Sequence, residues 1–365
     1  MCQPGSMLAD TLCRGNPRVT LPQSNQFDAC SESRVATIGD VAEHAGVSRS
    51  TVSYVLSGNR SISAETIRRV EQSIKELKFT PHAGARSIRT RRTGVIAMAL
   101  PLVFGPHNQV QMPYVWAAMG AAQQAGFKLL MLTDDDGEAA IRDAVTGSMV
   151  DGVMVMEVQE GDPRIDLLRS LGCPAVLVGT PADAQGLPVV DFDFTAAGRL
   201  CAEHLLGLGH TRVGYLGQSR RTFQRRAGFA LHACDAALST LREGGAEASW
   251  TACDGSPAGV VRAVDTLFRA LPRMTGLIVY NEQALSLVRD RLAELGRRVP
   301  GDVSLVAICP PEEIGRRSVP LVAVPLPAED LARTAVNRLT DLINGRPGAA
   351  VTVLPPSLRP GATSA

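Results

Sequence analysis

The chain has 365 residues, a net charge of +1 and 45% hydrophobic residues, which makes it too long for one ordinary domain and apolar enough for a sizeable core. No run reaches the ~18–20 apolar residues that a membrane helix needs. Residues 1–30 lack the apolar centre of a secretory signal. We therefore expect two or three domains in a cytoplasmic protein that has no membrane partner.

The eight cysteines and six histidines are dispersed, and no two cysteines form a Cys-x-x-Cys pair. This pattern is typical of buried thiols in a reducing compartment and not of a zinc site or a disulfide framework. The chain also lacks a Gly-x-Gly-x-x-Gly loop, a Walker phosphate loop and a Gly-x-Ser-x-Gly elbow. We therefore expect no metal, no cofactor and no enzymatic activity.

The charge is unevenly distributed along the chain. Residues 34–93 contain 11 Lys and Arg against 5 Asp and Glu, so the rest of the chain is net acidic. A basic module attracts the phosphate backbone of nucleic acid by counterion release, although a solvated basic face is the alternative interpretation. Residues 1–34 mix Gly, Pro, Ser, Asn and Gln without periodicity, which predicts a disordered N-terminal extension.

Three short helices are predicted between residues 35 and 80. Thr37 and Asp40 have the spacing of a capping box at the start of the first helix, which Gly46 ends. Ser48 caps a second helix over residues 49–56, and Ser63 caps a third over residues 64–77. A helix, a tight turn and a second helix form the helix-turn-helix pattern, with a plain three-helix bundle as the alternative.

The second helix of this pattern lies with its first residues in the major groove of DNA. Arg49 has the fork of donors that pairs with guanine, and Ser50 can read another base edge. We expect Thr51 and Ser53 to hold phosphates and Tyr54 to pack on a sugar or a thymine methyl group. We also expect DNA contacts from four further residues: Thr37, Ser48, Arg60 and Arg86.

From Gly94 onward, short apolar runs alternate with amphipathic helices. This alternation predicts parallel sheets with helices on both faces, and the length favours two similar lobes. The predicted strands are 95–100, 129–132, 152–156, 175–178, 213–216, 276–280 and 303–308. The predicted helices include 114–125, 165–170, 195–208 and 283–295.

Residues 36–56, ATIGDVAEHAGVSRSTVSYVL, resemble the N-terminal signature of the LacI/GalR family of bacterial regulators. Residues 79–88, FTPHAGARSI, resemble the hinge of that family, and the resemblance continues to about residue 359. Weaker matches follow in the family's order at 150–152, 204–210, 225–229 and 299–305. The resemblance implies a small all-α helix-turn-helix head and an α/β body of two doubly wound lobes, like that of periplasmic binding proteins.

The resemblance also implies the domain boundaries. After the extension at 1–34, we expect a DNA-binding domain at 35–80, a hinge helix and linker at 81–93, and an effector-binding and dimerisation domain at 94–365. Within it, we expect lobe one to comprise 94–191 and 326–346, and lobe two to comprise 192–325 and 347–365.

By the same resemblance, the protein is a homodimer that binds a near-palindromic operator in double-stranded DNA, by default as a repressor at the nucleoid. Two-fold symmetry in the protein and in the operator imply each other. Ile88 occupies the position of an apolar wedge that enters the minor groove and kinks DNA. The alternative for Ile88 is a linker residue covered by the body.

The family binds a small-molecule effector between its lobes, which implies roles for Arg225, Asn281 and Glu282. A glutamate at 282 keeps the charge of the family's usual aspartate but reaches farther. Apolar residues at 307–310 and at Leu326 replace polar positions of the family. We therefore expect a sugar or related metabolite as the effector. A degenerate pocket without an effector and a cytoplasmic solute-binding protein are the alternatives.

Phe192 and Phe194 lie where the chain is expected to cross between the lobes. An aromatic ring there can stack on a ligand, but packing in the core is the favoured interpretation of both.

Overall fold

The computed structural model describes residues 36–57, 62–79, 92–101, 108–134, 137–315, 319–346 and 348–365. The chain divides between Pro81 and His82 into two compact units. The predicted extension at 1–34, most of the predicted hinge, and Arg60, Arg86 and Ile88 lie outside the described residues.

The head contains three helices: α1 (Ile38–His44), α2 (Arg49–Ser57) and α3 (Ala64–Glu76). The capping box of α1 is formed, with Asp40 N donating to Thr37 Oγ1 at 3.3 Å and Thr37 N donating to Asp40 Oδ2 at 2.7 Å. Gly46 turns the chain with φ +63°, where a side chain would be strained. Apolar side chains from all three helices form one core: Val41, Ala42, Ala45, Val52, Val70 and Phe79.

The body contains two parallel sheets flanked by helices. Its strands are β1 (Val95–Ala99), β2 (Lys128–Leu132), β3 (Gly152–Val155), β4 (Ala175–Val178), β5 (Val189–Phe192), β6 (Arg212–Gly217), β7 (Glu247–Ala252), β8 (Gly276–Val279), β9 (Ser304–Cys309), β10 (Val322–Pro325) and β11 (Val351–Leu354). The first sheet has the order β11-β5-β4-β3-β1-β2 and the second β10-β9-β8-β6-β7. Each sheet is the centre of one lobe, so the predicted pair of doubly wound lobes is confirmed.

The helices of the body lie mostly between consecutive strands. They are α4 (Asn108–Gln124), α5 (Gly137–Thr146), α6 (Pro163–Leu171), α7 (Phe194–Gly207), α8 (Arg220–Gln224), α9 (Gly228–Glu243), α10 (Pro257–Ala270), α11 (Ala284–Glu294), α12 (Pro311–Ile314) and α13 (Ala328–Ile343). No helix in the described ranges is both long and apolar enough to span a bilayer.

The chain crosses between the lobes three times. It leaves the first sheet after β5, returns after β10, where α13 packs against α4, and crosses again after β11. The C-terminal segment then pairs with the second lobe, since Arg359 bridges Ala323 and Thr363 Oγ1 donates to Leu305 O at 2.7 Å. These crossings place the ends of both sheets at one cleft.

One predicted boundary is wrong. The resemblance predicts that all of 347–365 belongs to lobe two, but β11 pairs in parallel with β5, with Val351 opposite Val189. Without β11, the backbone N–H and C=O groups on the outer side of β5 would lack partners. The four-residue strand β11 pairs with these groups and so becomes the edge of the first sheet. Only the residues after β11 return to the second lobe.

Candidate DNA-binding head and ligand cleft

The first turn of α2 is organised by the hydroxyl group of Ser48. Thr51 N donates to Ser48 Oγ at 3.1 Å, which caps the helix. The hydroxyl groups of Ser50 and Thr51 lie 2.7 Å and 2.8 Å from the same oxygen. Three predicted DNA-contacting side chains are therefore brought together at the N-terminus of α2, where the helix dipole also favours a phosphate.

Arg49 is exposed, and its guanidinium group lies against Gly39 of α1. A Cβ atom at Gly39 would stand 2.9 Å from Arg49 Nη2 and 3.1 Å from Nε. The absence of a side chain at Gly39 thus leaves the space that the guanidinium group of Arg49 occupies. This role of Gly39 could not be predicted, since a glycine inside a helix has no local signal for such a contact.

The two faces of α2 differ in burial. Val52 is fully buried in the core of the head, whereas Tyr54 is 38% exposed and Ser53 is half-buried. Thr37 is exposed and caps α1. The helix therefore presents a polar surface with Arg49 and Tyr54 on its outer side, and its first turn contains no acidic residue.

A second candidate site lies in the body, where a cavity of about 750 Å³ open to solvent is lined by residues from both lobes. Most of these residues follow the carboxyl ends of strands, the usual ligand position in doubly wound sheets. The lining residues are Leu100, Gln111, Tyr114, Met156, Glu157, Val158, Val178, Gly179, Asp191, Phe194, Gln218, Phe229, Tyr280, Glu282, Leu326 and Leu331.

Three carboxylates line this cavity, and each lies within hydrogen-bond distance of a polar side chain. Glu157 accepts from Gln111 Nε2 at 2.8 Å. Asp191 accepts from Thr180 Oγ1 at 2.7 Å and from Phe192 N at 2.8 Å, but burial still raises the pKa of Asp191. Glu282 Oε2 lies 3.4 Å from Gln218 Nε2.

Aromatic rings form a continuous wall beside these carboxylates. Phe194 stacks on Tyr280 with ring centroids 6.0 Å apart, and Phe229 lies 6.0 Å from Phe194 and 6.2 Å from Tyr280. Burial and the charge of Glu282 raise the pKa of Tyr280 and of Tyr114 well above the usual tyrosine value. Both tyrosines therefore stay neutral at any physiological pH.

The predicted effector residues have three different placements. Glu282 lines the cavity. Arg225 lines an adjoining space of about 370 Å³, and its Nη1 lies 3.9 Å from Glu157 Oε2. Among the predicted aromatic candidates, Phe194 lines the cavity, whereas Phe192 packs in the core.

Asn281 is placed differently from the prediction that it binds the effector. It is 2% exposed and outside the cavity lining. Its Nδ2 donates to Cys253 O at 2.8 Å, and its Oδ1 accepts from Ala284 N at 3.2 Å. The amide thus joins the ends of β7 and β8 to the start of α11, and effector contact by Asn281 stays a prediction.

Among the polar and aromatic residues of the cavity that were not predicted from the sequence are Gln111, Tyr114, Glu157 and Asp191. Two of them had a usable signal, since Glu157 follows the apolar run of β3 and Asp191 is the only charged residue of β5. The other two come from α4, which carries no recognisable ligand-binding motif.

A short backbone clasp joins the lobes at one side of the cleft. Glu160 N donates to Arg226 O at 3.0 Å, and Gly228 N donates to Val158 O at 3.1 Å. The side chains of Arg226 and Glu160 form an ion pair. Glu157 and Arg226 have φ values of +50° and +53°, which non-glycine residues adopt at a cost and mostly at functional sites.

Comparisons with known proteins agree with both parts. The family model for bacterial regulatory proteins of the lacI family matches residues 37–82, and that for a periplasmic binding protein-like domain matches 202–364. The HTH-type transcriptional regulator CelR of Thermobifida fusca is 28% identical over 329 residues, which cover 86% of this chain and 93% of CelR.

Solved structures show the same fold. A CelR–cellobiose complex superposes with a TM-score of 0.66 at 23% identity, covering 90% of this chain and 100% of that one. The lac repressor dimer bound to operator and the anti-inducer ONPF superposes with a TM-score of 0.77 at 24% identity, covering 91% and 99%. The relatives are transcriptional regulators and not enzymes, and this chain belongs to the LacI/GalR family as a DNA-binding transcriptional regulator.

Proposed function

We propose that a small molecule bound in the cleft changes the affinity of the head for an operator, and that the protein acts as a repressor. The observation that carries this proposal is the cavity of about 750 Å³, which has walls from both lobes. A ligand that touches both lobes binds one relative position of the lobes better than another, and only such a difference can shift a conformational equilibrium.

The relatives support an effector of moderate size. One solved relative is a complex with cellobiose, and another binds an anti-inducer in its operator-bound form. A sugar or related metabolite is therefore the general expectation. The alternative of a degenerate pocket is disfavoured because the cavity keeps three carboxylates, and each lies within hydrogen-bond distance of a polar side chain.

A solute-binding protein is the other alternative, and the head disfavours it. The body alone would suit that function, but α2 presents Arg49 and a cluster of hydroxyl groups on its outer surface. We assign DNA contacts to Thr37, Ser48, Arg49, Ser50, Thr51, Ser53 and Tyr54, together with Arg60, Arg86 and Ile88, which the structure does not describe.

We further propose a homodimer on a near-palindromic site, as in the lac repressor dimer bound to its operator. The body offers an apolar surface on α4, where Trp116 is 64% exposed and Met119, one turn away, is 41% exposed. Large exposed apolar side chains mark protein interfaces when they cluster. Because the proposed partner is DNA, we also propose that the protein acts in the cytoplasm, at the nucleoid.

The test is selection of binding sites from random double-stranded DNA by the full-length protein, followed by titration of the selected site with and without metabolites. We expect a site with two-fold symmetry and at least one metabolite that changes the dissociation constant several-fold. A selected site without symmetry would contradict the dimer. Constant affinity across a broad metabolite library would contradict the effector.

A further inference from the structure

The amide of Gln111 is a fixed polar group in the wall of the cleft cavity. The residue lies in the first turn of α4 and is 6% exposed. Its Nε2 donates to Glu157 Oε1 at 2.8 Å and to Pro101 O at 3.2 Å. A carbonyl oxygen can only accept a hydrogen bond, so the nearness of Pro101 O determines which end of the amide carries the N–H groups. The orientation of the Gln111 amide in the cavity wall therefore follows from its neighbours.

The two ends of this amide differ in their hydrogen bonding. The nitrogen has two N–H donors, and the bonds to Glu157 and Pro101 use both of them. The oxygen Oε1 can accept two hydrogen bonds, but it is buried without a partner among the described residues. Buried polar groups are nearly always hydrogen-bonded, because a group that loses its water without a replacement is costly in free energy. Gln111 thus offers the cavity an acceptor and no donor.

The carboxylate that holds this amide belongs to a rigid part of the first lobe. The backbone of Glu157 has φ +50°, and its carbonyl O accepts from Arg164 Nη2 at 3.3 Å. Arg164 is buried and forms an ion pair with Asp162 at 2.6 Å. Exchange of the two ends of the Gln111 amide would break both of its hydrogen bonds. The acceptor is therefore positioned before a ligand binds, and such preorganisation lowers the entropic cost of binding.

The walls around this acceptor are largely apolar. The ring centroids of Phe194, Phe229 and Tyr280 lie within 6.2 Å of one another, and Tyr114 lines the same space. Aliphatic side chains line the cavity as well: Leu100, Met156, Val158, Val178, Leu326 and Leu331. A buried polar group in such surroundings discriminates strongly between ligands, because a ligand that fails to pair with it shuts it off from water.

We propose that the effector is a ring-bearing, largely apolar molecule that donates a hydrogen bond from a hydroxyl or N–H group to Gln111 Oε1. This inference rests on the proposed function, that the cleft binds an effector. Gln111 is then a specificity-determining residue. An ether, ketone or carboxylate group would place a second acceptor against Oε1, whereas a hydroxyl group pairs with it. A free sugar also supplies a donor, but its remaining hydroxyl groups would lose their water against the apolar walls.

The test is isothermal titration calorimetry of the full-length protein with probes that differ at the donor. One pair is 2-phenylethanol and its methyl ether, and the other is 2-cyclohexylethanol and its methyl ether. Glucose serves as a probe that has donors but no apolar body. We expect each alcohol to bind at least tenfold more tightly than its own ether and than glucose.

The variant Gln111→Met identifies the residue that causes this difference. Methionine is similar in length, but its sulfur is only a weak acceptor, so we expect the ratio of alcohol affinity to ether affinity to fall at least fivefold. Gln123→Met, at an exposed position of the same helix, is the matched control and should retain the ratio. A general loss of stability would not change this ratio, because both members of a pair bind the same folded protein.

The comparison of probe pairs in the unaltered protein needs no variant, so misfolding of Gln111→Met would not obscure it. Equal affinity for alcohol and ether in both pairs would mean that water satisfies Gln111 Oε1, and it overturns the inference. No binding of either alcohol at about 10 mM, or an unchanged ratio in Gln111→Met, overturns it as well. If glucose alone binds and changes operator affinity, the inference fails and the proposed function stands. If no metabolite of any kind binds the body, both fail.

Discussion

At the scale of single residues, replacement of Arg49 best tests whether the head recognises the base sequence of the operator. It is exposed at the start of α2, and its guanidinium group rests against Gly39 without an ion pair among the described residues. We expect Arg49→Ala to cost roughly 1–3 kcal/mol of binding, concentrated at one base pair of the operator. Fluorescence anisotropy on operators with single base changes measures this loss.

The matched control is Arg68→Ala, which removes an exposed arginine from α3 of the same unit. It should weaken binding to all sequences about equally or leave it unchanged. Equal weakening across all sequences by Arg49→Ala would mean that Arg49 contacts a phosphate, and the guanine contact would be wrong.

Asp162 and Arg164 form a buried ion pair that supports the cleft. Asp162 accepts from Arg164 Nε at 2.8 Å, and Arg164 Nη2 also donates to Met156 O at 3.1 Å and to Glu157 O at 3.3 Å. We expect Asp162→Asn to lower the free energy of unfolding by about 3–5 kcal/mol, because it leaves the buried arginine without its counter-charge. Chemical denaturation at pH 7 measures this change.

The same pair predicts a pH dependence. Burial alone would raise the pKa of Asp162, but the hydrogen bonds and charge of Arg164 outweigh it and lower the pKa below 3.8. The stabilisation is therefore present above pH 3.8 and is lost as the pH falls through the folded value. The exposed control Asp235→Asn should change stability little at any pH. An equally small change in Asp162→Asn would contradict the role of the pair.

At the scale of elements, the buried strands and the caps could be predicted from the sequence, because their signals are local. β3, β4, β8 and β9 are apolar runs buried along their whole length, as strands covered on both faces must be. β7 was missed because its sequence, EASWTA, is an edge strand with mixed polarity. β11 was missed because it is the edge strand of the first sheet, next to β5. Its valines Val351 and Val353 are exposed, so β11 lacks the buried apolar pattern of an inner strand.

The start of α4 shows why part of the site escaped prediction. Pro113 lacks an N–H donor, so the sequence favoured a helix that begins after it. In the structure Pro113 lies inside α4, which begins at Asn108. Gln111 therefore belongs to a helix that brings it to the cleft, and only the tertiary packing of α4 on α13 reveals this. The hydrogen bond of Asn281 to Cys253 O could not be predicted for the same reason, because the two residues come from distant segments.

The exposed face of α4 predicts the assembly state. Trp116 is the most exposed large apolar side chain of the described residues. If α4 lies in the dimer interface, Trp116→Glu removes apolar contact area and places two like charges near the symmetry axis. We expect the dimer dissociation constant to rise at least tenfold, as measured by analytical ultracentrifugation.

Met149→Glu is the control, since Met149 is 53% exposed outside α4 and should leave the dimer intact. Binding to a two-half-site operator should weaken with Trp116→Glu, whereas binding to an isolated half-site should not. A Trp116→Glu protein that stays dimeric would exclude α4 from the interface.

At the scale of the whole molecule, the cleft and the head are separate units of the chain, so regulation requires a link between them. The cavity itself joins the two lobes through the clasp at 158–160 and 226–228 and through the approach of Arg225 to Glu157. A ligand that competes for Glu157 or changes the spacing across the clasp thus changes how the lobes are held. A change in the relative position of the two lobes is then the change through which the ligand can alter DNA binding by the head.

Arg225 tests this link, because it reaches from the second lobe to a carboxylate of the first without lining the cavity itself. We expect Arg225→Ala to leave operator affinity without effector within about twofold and to abolish the change caused by effector. As the control, Arg220→Ala replaces an exposed arginine of α8 and should leave the response to effector unchanged.

By thermodynamic linkage, an effector that weakens operator binding tenfold must itself bind tenfold more weakly to the operator complex. Calorimetric titration of the free protein and of the complex should therefore give equal effector affinities only in Arg225→Ala, and a normal difference there would remove Arg225 from the coupling.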